Sequence, residues 1–193
     1  MQAARAQDYD EEARKLAEQP EIRAAFDAIF ELEPRTRDDH IALTEIPAPP
    51  FQEERRAKRY SEMLQAAGSV EVEIDEVGNV VARRRGTKGG RVVALAAHID
   101  TVFPEGTDVT VRVEGNKFTA PGIGDDTRGL IVVLTALRAM NRASIETEAD
   151  ILFIGTVGEE GLGDLRGAKH LFRDNGWNID SWIAVDGGGL DRV

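Results

Sequence analysis

The sequence predicts an α/β protein, a three-layer α/β/α sandwich around a largely parallel mixed sheet. Three observations carry that expectation. Apolar runs of strand length, "VVALAA", "ILFIGTVG" and "WIAV", read as strands buried on both faces. Segments of helical periodicity, Thr127 to Arg142 and "LRGAKHLFRDNG", lie between them. Strands alternating with helices give parallel neighbours whose crossover helices cover both sides of the sheet.

From Asp8 to Phe30 the residues Leu16, Ala17, Ile22, Ala25, Phe26, Ile29 and Phe30 recur at helical spacing, interrupted near Pro20. Residues 1–34 are therefore set apart as an N-terminal helical segment, ahead of a domain at 35–193. That domain opens with a short helix from Arg35 to Glu45, stopped by the prolines of "IPAPPF". A further helix, Gln52 to Ala67, ends at Gly68. "VEVEID" alternates as a half-buried strand, and "VGNVVARRR" is its hairpin partner with Gly78 and Asn79 near the turn. The basic run Arg83, Arg84, Arg85 and Lys88 reads as a solvated hairpin tip. "RVVALAAH" is a buried strand, followed by a loop holding "DVTVRVEGNKF" and the glycine-rich "APGIGDDTRG". The helix from Thr127, the strand "ADILFIGTVGEEG", the helix "LRGAKHLFRDNG" and the strand "SWIAVDGGG" complete the order.

Composition narrows the partners. The 193 residues suit one domain and carry 35 acidic against 24 basic side chains, a formal charge of -11. That balance argues against nucleic acid or an anionic membrane surface and in favour of cations. With no cysteine, any metal is held by His, Asp and Glu. No apolar run approaches the ~20 residues that span a bilayer. The start "MQAARAQDYDEEARK" lacks a signal peptide's apolar stretch, so a cytoplasmic location is expected.

The chemistry gathers at strand ends. His98 and Asp100 follow "VVALAA", Glu159 and Glu160 follow "ILFIGTVG", and Asp186 follows "WIAV". Ligands of open α/β sheets bind beyond the carboxyl ends of the strands, where these groups would converge. Asp125 and Asp126 join them from the glycine-rich loop. Carboxylates packed this closely resist ionisation unless cations neutralise them, which points to one or two divalent metal ions. Singly, each motif has a plain reading: "HID" as a polar strand end, "EE" as a solvated loop, Asp186 as a turn former. His40 and His170 fall inside helices and read as surface or packing residues.

"LTEIPAPPFQEE", "AAHIDTVFP", "GIGDDTRG", "GTVGEEG" and "AVDGGG" together resemble the M20 family of zinc peptidases and deacylases, in the family's order and from about residue 35 onward. The "GDD" form and the closing "VDGG" look most like its tripeptidase branch. The resemblance implies a two-zinc site in which His98 binds a metal, Asp100 fixes its imidazole, and Asp126 bridges the metals. The family pattern, an Asp followed one residue later by a basic and then a small residue, selects Asp126 with Arg128 and Gly129 over its neighbour Asp125. It further implies Glu159 as general base, Glu160 as ligand of the second zinc and Asp186 as ligand of the first. The implied reaction is hydrolysis of a peptide or N-acyl amide, with a peptide or N-acyl amino acid as substrate and a homodimer as a possibility for the complete protein. Family members continue beyond this point with a lid or dimerisation domain and the rest of the catalytic domain, including two further functional histidines that neither His40 nor His170 matches. The expectation is therefore the N-terminal part of a metallopeptidase catalytic domain, with impaired turnover alone. The alternative is a non-catalytic metal-binding or interaction domain.

Overall fold

The computed structural model describes residues 9–68, 70–173 and 176–187. Two N-terminal helices, α1 (Tyr9–Ala17) and α2 (Pro20–Thr44), precede α3 (Glu54–Ala67). Strands β1 (Glu71–Ile74), β2 (Val80–Arg84) and β3 (Val92–His98) follow, then a small hairpin of β4 (Arg112–Glu114) and β5 (Lys117–Thr119). A tight turn at Ile123–Thr127 leads into α4 (Arg128–Arg142), and β6 (Asp150–Thr156), α5 (Arg166–Leu171) and β7 (Ser181–Ala184) close the order. Residues 1–8, 174 and 175 of the last expected helix, and Gly188 and Gly189 after the last strand lie outside the described residues.

Five strands form one mixed sheet in the order β1-β2-β6-β3-β7. The β1-β2-β6 side is antiparallel, whereas β3 lies parallel to both β6 and β7. The sheet is half parallel, and the parallel half carries the strand ends singled out by sequence. On one face, Val80, Ala82, Ala97 and Phe153 pack against Tyr60, Met63 and Leu64 of α3 and Leu130, Leu134 and Leu137 of α4. On the other, Val81, Ala94, Ala96, Leu152 and Ile154 meet Leu171 of α5 with Trp177, Ile179 and Trp182. Alternate residues of β2 and β3 thus serve opposite layers, as period-two geometry requires.

Three local expectations change. The two helical stretches expected around residues 8–30 and 35–45 divide elsewhere: the break falls after Ala17, and α2 then runs unbroken through Pro34. A proline in a helix interior removes one hydrogen bond and crowds the preceding turn. Packing compensates: Ala25, Ala28 and Leu43 join α4 residues in apolar clusters, and Asp39 accepts from Arg138 at 2.6 Å. Arg83 and Arg84 are not a solvated tip. Arg83 holds the buried Asp150 carboxylate at 2.7 Å through Nε, and Arg84 donates to Asn141 Oδ1 and the Ile145 carbonyl. The stretch "VTVRVEGNKF" makes a separate two-stranded sheet. Among the described residues, no helix is long and apolar enough to cross a membrane.

Candidate metal centre

Parallel register brings the site together. His98, the last residue of β3, pairs with Thr156 at the end of β6, and Ile99 N donates to Thr156 O at 2.7 Å. The two chains therefore leave the sheet level with one another. Val185 N donates to Ala96 O at 2.7 Å, which delivers Asp186 to the same edge.

His98 is buried, and its backbone fixes its chemistry. Nδ1 lies 2.9 Å from the Asp100 carbonyl, which can only accept, so Nδ1 carries a proton. Nε2 is then the atom offered to a ligand, and it faces Asp125 Oδ1 at 2.8 Å and Asp186 Oδ1 at 3.9 Å. Burial alone would push the imidazolium pKa down. Contact with Asp100, the charges of Asp126 and Asp100, and the hydrogen bond to Asp125 outweigh it and lift the pKa to about 10.

Asp100 plays a part the sequence did not suggest. Its carboxylate is 3.7 Å from His98 Nδ1, while its two oxygens accept Glu159 N–H at 3.0 Å and Glu160 N–H at 2.9 Å. Burial would raise its pKa, but the His98 contact and these two N–H donors bring it below the usual carboxylate range. The side chain pins the Glu159-Glu160 segment to the end of β3, and its main chain orients His98.

The two loop aspartates divide. Asp126 is fully buried; Oδ2 accepts His98 N–H and Oδ1 accepts Gly129 N–H, both at 2.9 Å. Burial, reinforced by the charge of Asp186, pushes its pKa up to about 7 against the opposing help of His98 and the N–H donors. Gly129 has no alternative: a Cβ there would stand 2.1 Å from Asp126 Oδ1. Asp125 is 60% exposed and turns its carboxylate to His98 Nε2.

Glu159 and Glu160 are half-buried. Burial, with the charges of Asp125, Glu159 and Asp100, raises the Glu160 pKa despite His98. Two donor groups follow, His98-Asp126-Asp186 and His98-Glu159-Glu160, each presenting one atom per residue with all atoms within 4.8 Å of one another. The set is one imidazole and several carboxylates without thiolate, which suits zinc.

The supporting residues were not singled out in the sequence. Arg56 of α3 is 1% exposed and donates to Ile46 O and Ile99 O at 2.8 Å and to Thr44 O at 3.3 Å. Burial lowers its pKa to about 10, with Asp100 opposing. Its signal was a charge set within the apolar stripe Ala57, Tyr60, Met63 and Leu64. Asn79 is fully buried, accepting Val157 N–H at 3.1 Å and donating to Gly167 O at 3.1 Å. Arg166 binds both oxygens of the buried Glu53 at 2.9 and 2.8 Å. These contacts brace the loops before and after the strand ends. His40, expected to pack or face solvent, is buried and its Nε2–H donates to Ile123 O at 2.8 Å, steadying the aspartate loop.

Residues 94–191 match the sequence profile of peptidase family M20/M25/M40. A Pyrococcus abyssi protein named as a LysW-lysine/LysW-ornithine hydrolase is 36% identical over 129 residues, 67% of this chain and 34% of that protein. Carboxypeptidase G2 of a Pseudomonas species is 33% identical over 84 residues, 42% of this chain and 20% of that one. The chain thus spans about a third or less of the length of these curated relatives. Among solved structures, aminopeptidase PepT from Bacillus cereus superposes with a TM-score of 0.68 at 27% identity, covering 80% of this chain and 43% of its own. A Staphylococcus aureus tripeptidase gives 0.63 at 27% identity, covering 81% and 44%.

Proposed function

The chain belongs to peptidase family M20/M25/M40, and from that premise we propose that it forms part of a catalytic domain hydrolysing peptide or N-acyl amide bonds at a two-zinc centre. The observation that carries this reading is the convergence of His98, Asp126, Asp186, Glu159 and Glu160 beyond the carboxyl ends of β3, β6 and β7, with Asp125 Oδ1 2.8 Å from His98 Nε2. Burial first, and the neighbouring carboxylates second, raise the pKa values of Asp126 and Glu160, and a cation placed among them would offset both.

His98 Nε2, Asp186 and Asp125 would hold one zinc, and Glu160 with Asp125 the other. Asp126, the bridge expected from the sequence, lies within 4.8 Å of the His98 and Asp186 donors. Geometry favours its neighbour: both oxygens of Asp126 already hold N–H groups of the fold, whereas Asp125 offers an accessible carboxylate directly against Nε2. Asp126 then anchors the loop on which Asp125 stands.

Zinc bound there would polarise the scissile carbonyl and ease deprotonation of water. Glu159, held in place by its own N–H on Asp100, receives the proton at a carboxylate oxygen and returns it to the leaving amine. Asp100 keeps the proton on His98 Nδ1 through its carbonyl, so Nε2, which lies against Asp125 Oδ1 at 2.8 Å, is the nitrogen a metal would take in place of its proton. In this reading the substrates are peptides or N-acyl amino acids, and the protein acts in the cytoplasm. The boundary at residue 35 belongs to the same proposal, with α2 spanning it as one helix. Zinc content and hydrolysis of dipeptides and N-acetyl amino acids, measured on wild type and Glu159→Gln, test it. Zinc retained with hydrolysis lost in the variant supports the assignment; hydrolysis unchanged refutes Glu159 as base.

A further inference from the structure

Beyond β6 the chain reaches Glu159 at the neck of a loop that closes on itself. Arg166 N–H donates to Gly158 O at 3.2 Å and Gly167 N–H to Val157 O at 2.9 Å, so residues 159–165 run out and return to one point. On the way back Asp164 and Leu165 take left-handed backbone angles, φ 51° and 54°, a strain that persists only where surrounding contacts impose it. One side of the neck is held by Asp100, which accepts the Glu159 and Glu160 N–H groups.

The other side is closed by an ion pair that reaches across the chain. Glu53, directly before α3, is 3% exposed, and its two oxygens accept Arg166 Nη2 at 2.9 and 2.8 Å. The Phe51 ring covers the guanidinium, its centre 4.8 Å from the guanidinium carbon. Arg166 Nη1 lies so close over Gly158 that a Cβ there would collide with it. That nitrogen is buried and has no hydrogen-bond partner among the described residues. An unpaired buried donor costs stability, so its place is not the one that folding alone would favour. The space beside the pair, about 120 Å³ among Glu53, Ala57, Val77, Val157 and Arg166, is smaller than a small-ligand site, which favours holding the chain over binding a ligand.

We propose that Glu53 and Arg166 are positioning residues for Glu159: their pair clamps Gly158 and so fixes the main chain from which the Glu159 carboxylate extends. The consequence for catalysis rests on the reading of Glu159 as base. The clamp itself does not, because neither residue belongs to the candidate donor groups. With the clamp loosened, Glu159 is presented in several directions while the strand ends beneath it keep their place.

Amide hydrogen exchange of the full chain in chelator, resolved by residue with NMR, reads the clamp without turnover and without metal to tie the loop down. Glu53→Gln removes the charge at nearly constant shape, and Arg166→Lys keeps the charge but loses the fork. Each should lower protection of the Glu159 and Glu160 N–H groups by about tenfold or more, with amides of β3 and β6 within about twofold of wild type. The double variant should lose little more than either single one, because the two residues act as a unit. Lys169→Ala removes an exposed ion pair with Asp164 of the same loop and should leave protection unchanged. Loaded with zinc, Glu53→Gln and Arg166→Lys should keep their metal and lower kcat for leucylglycine by about tenfold or more, with KM little moved. Protection at Glu159 within about twofold of wild type, or an equal loss throughout β3 and β6, overturns the proposal, as does a freed loop with kcat unchanged. A wild type that holds zinc and hydrolyses nothing sinks the hydrolase reading; loss of Glu159 protection in the variants then still supports the clamp, and its retention overturns it.

Discussion

Replacing Arg56 with alanine tests whether the candidate metal centre is built from beneath. The side chain donates to three main-chain carbonyls, those of Thr44, Ile46 and Ile99, and the last lies between His98 and Asp100. Hydrogen bonds from a charged donor are worth about 1.5–3 kcal/mol each, so three would total about 5–9 kcal/mol if nothing opposed them. Burying a guanidinium opposes them, as its lowered pKa records, and removal of one member of a buried charged network typically costs about 3–5 kcal/mol. That is a large share of a usual stability of about 5–15 kcal/mol. With a urea slope of about 1–3 kcal/mol per molar, the unfolding midpoint of Arg56→Ala should fall by about 2 M. Arg56→Met keeps most of the stem's packing and should lose less. Because Ile99 O is released, zinc affinity should also drop in either variant under conditions where it remains folded. A midpoint within about 0.3 M of wild type, with zinc affinity unchanged, would refute the reasoning.

Further outcomes follow from the same contacts. Glu159→Gln should leave zinc binding in place and lower hydrolysis by at least about 10²-fold, read by comparing metal content with turnover. Gly129→Ala sets a methyl group 2.1 Å from Asp126 Oδ1 and should destabilise by at least about 1–3 kcal/mol in urea unfolding. Asp150 has its pKa lowered by Gly86 N–H and by Arg83 and Arg85, so its contribution is present above the unfolded value of about 3.9 and lost as pH falls through the lower folded value. Asp150→Asn should therefore be destabilised at neutral pH, with the gap from wild type closing in acid below about pH 3.9.

Much of this arrangement was legible in the chain. The strands were marked by apolar runs, and the site was marked by His and acids placed directly after them, because a parallel sheet puts those ends on one edge. What escaped depends on three-dimensional compensation. Periodicity could not tell that α2 would absorb Pro34, since the gain comes from packing on α4. Arg83 and Arg84 read as solvated because their partners, Asp150 and Asn141, lie 67 and 57 residues away. Asp125 and Asp126 are chemically identical neighbours, and only the path of the loop turns one toward backbone N–H groups and the other toward His98. Asp100 was expected to fix the His98 imidazole, and the sequence did not tell that its main-chain carbonyl would make the close contact while its side chain holds Glu159 and Glu160.

The most direct test of the metal centre is native mass spectrometry of the zinc-loaded chain beside His98→Ala, Asp125→Asn and Asp126→Asn. Bound zinc in the wild type, lost in His98→Ala and Asp125→Asn with the fold intact, is the expected result. Asp126→Asn should show its main loss in stability, since its oxygens serve the N–H groups of His98 and Gly129. A wild type that takes up no zinc, or a His98→Ala chain that binds as much as wild type, would contradict the account.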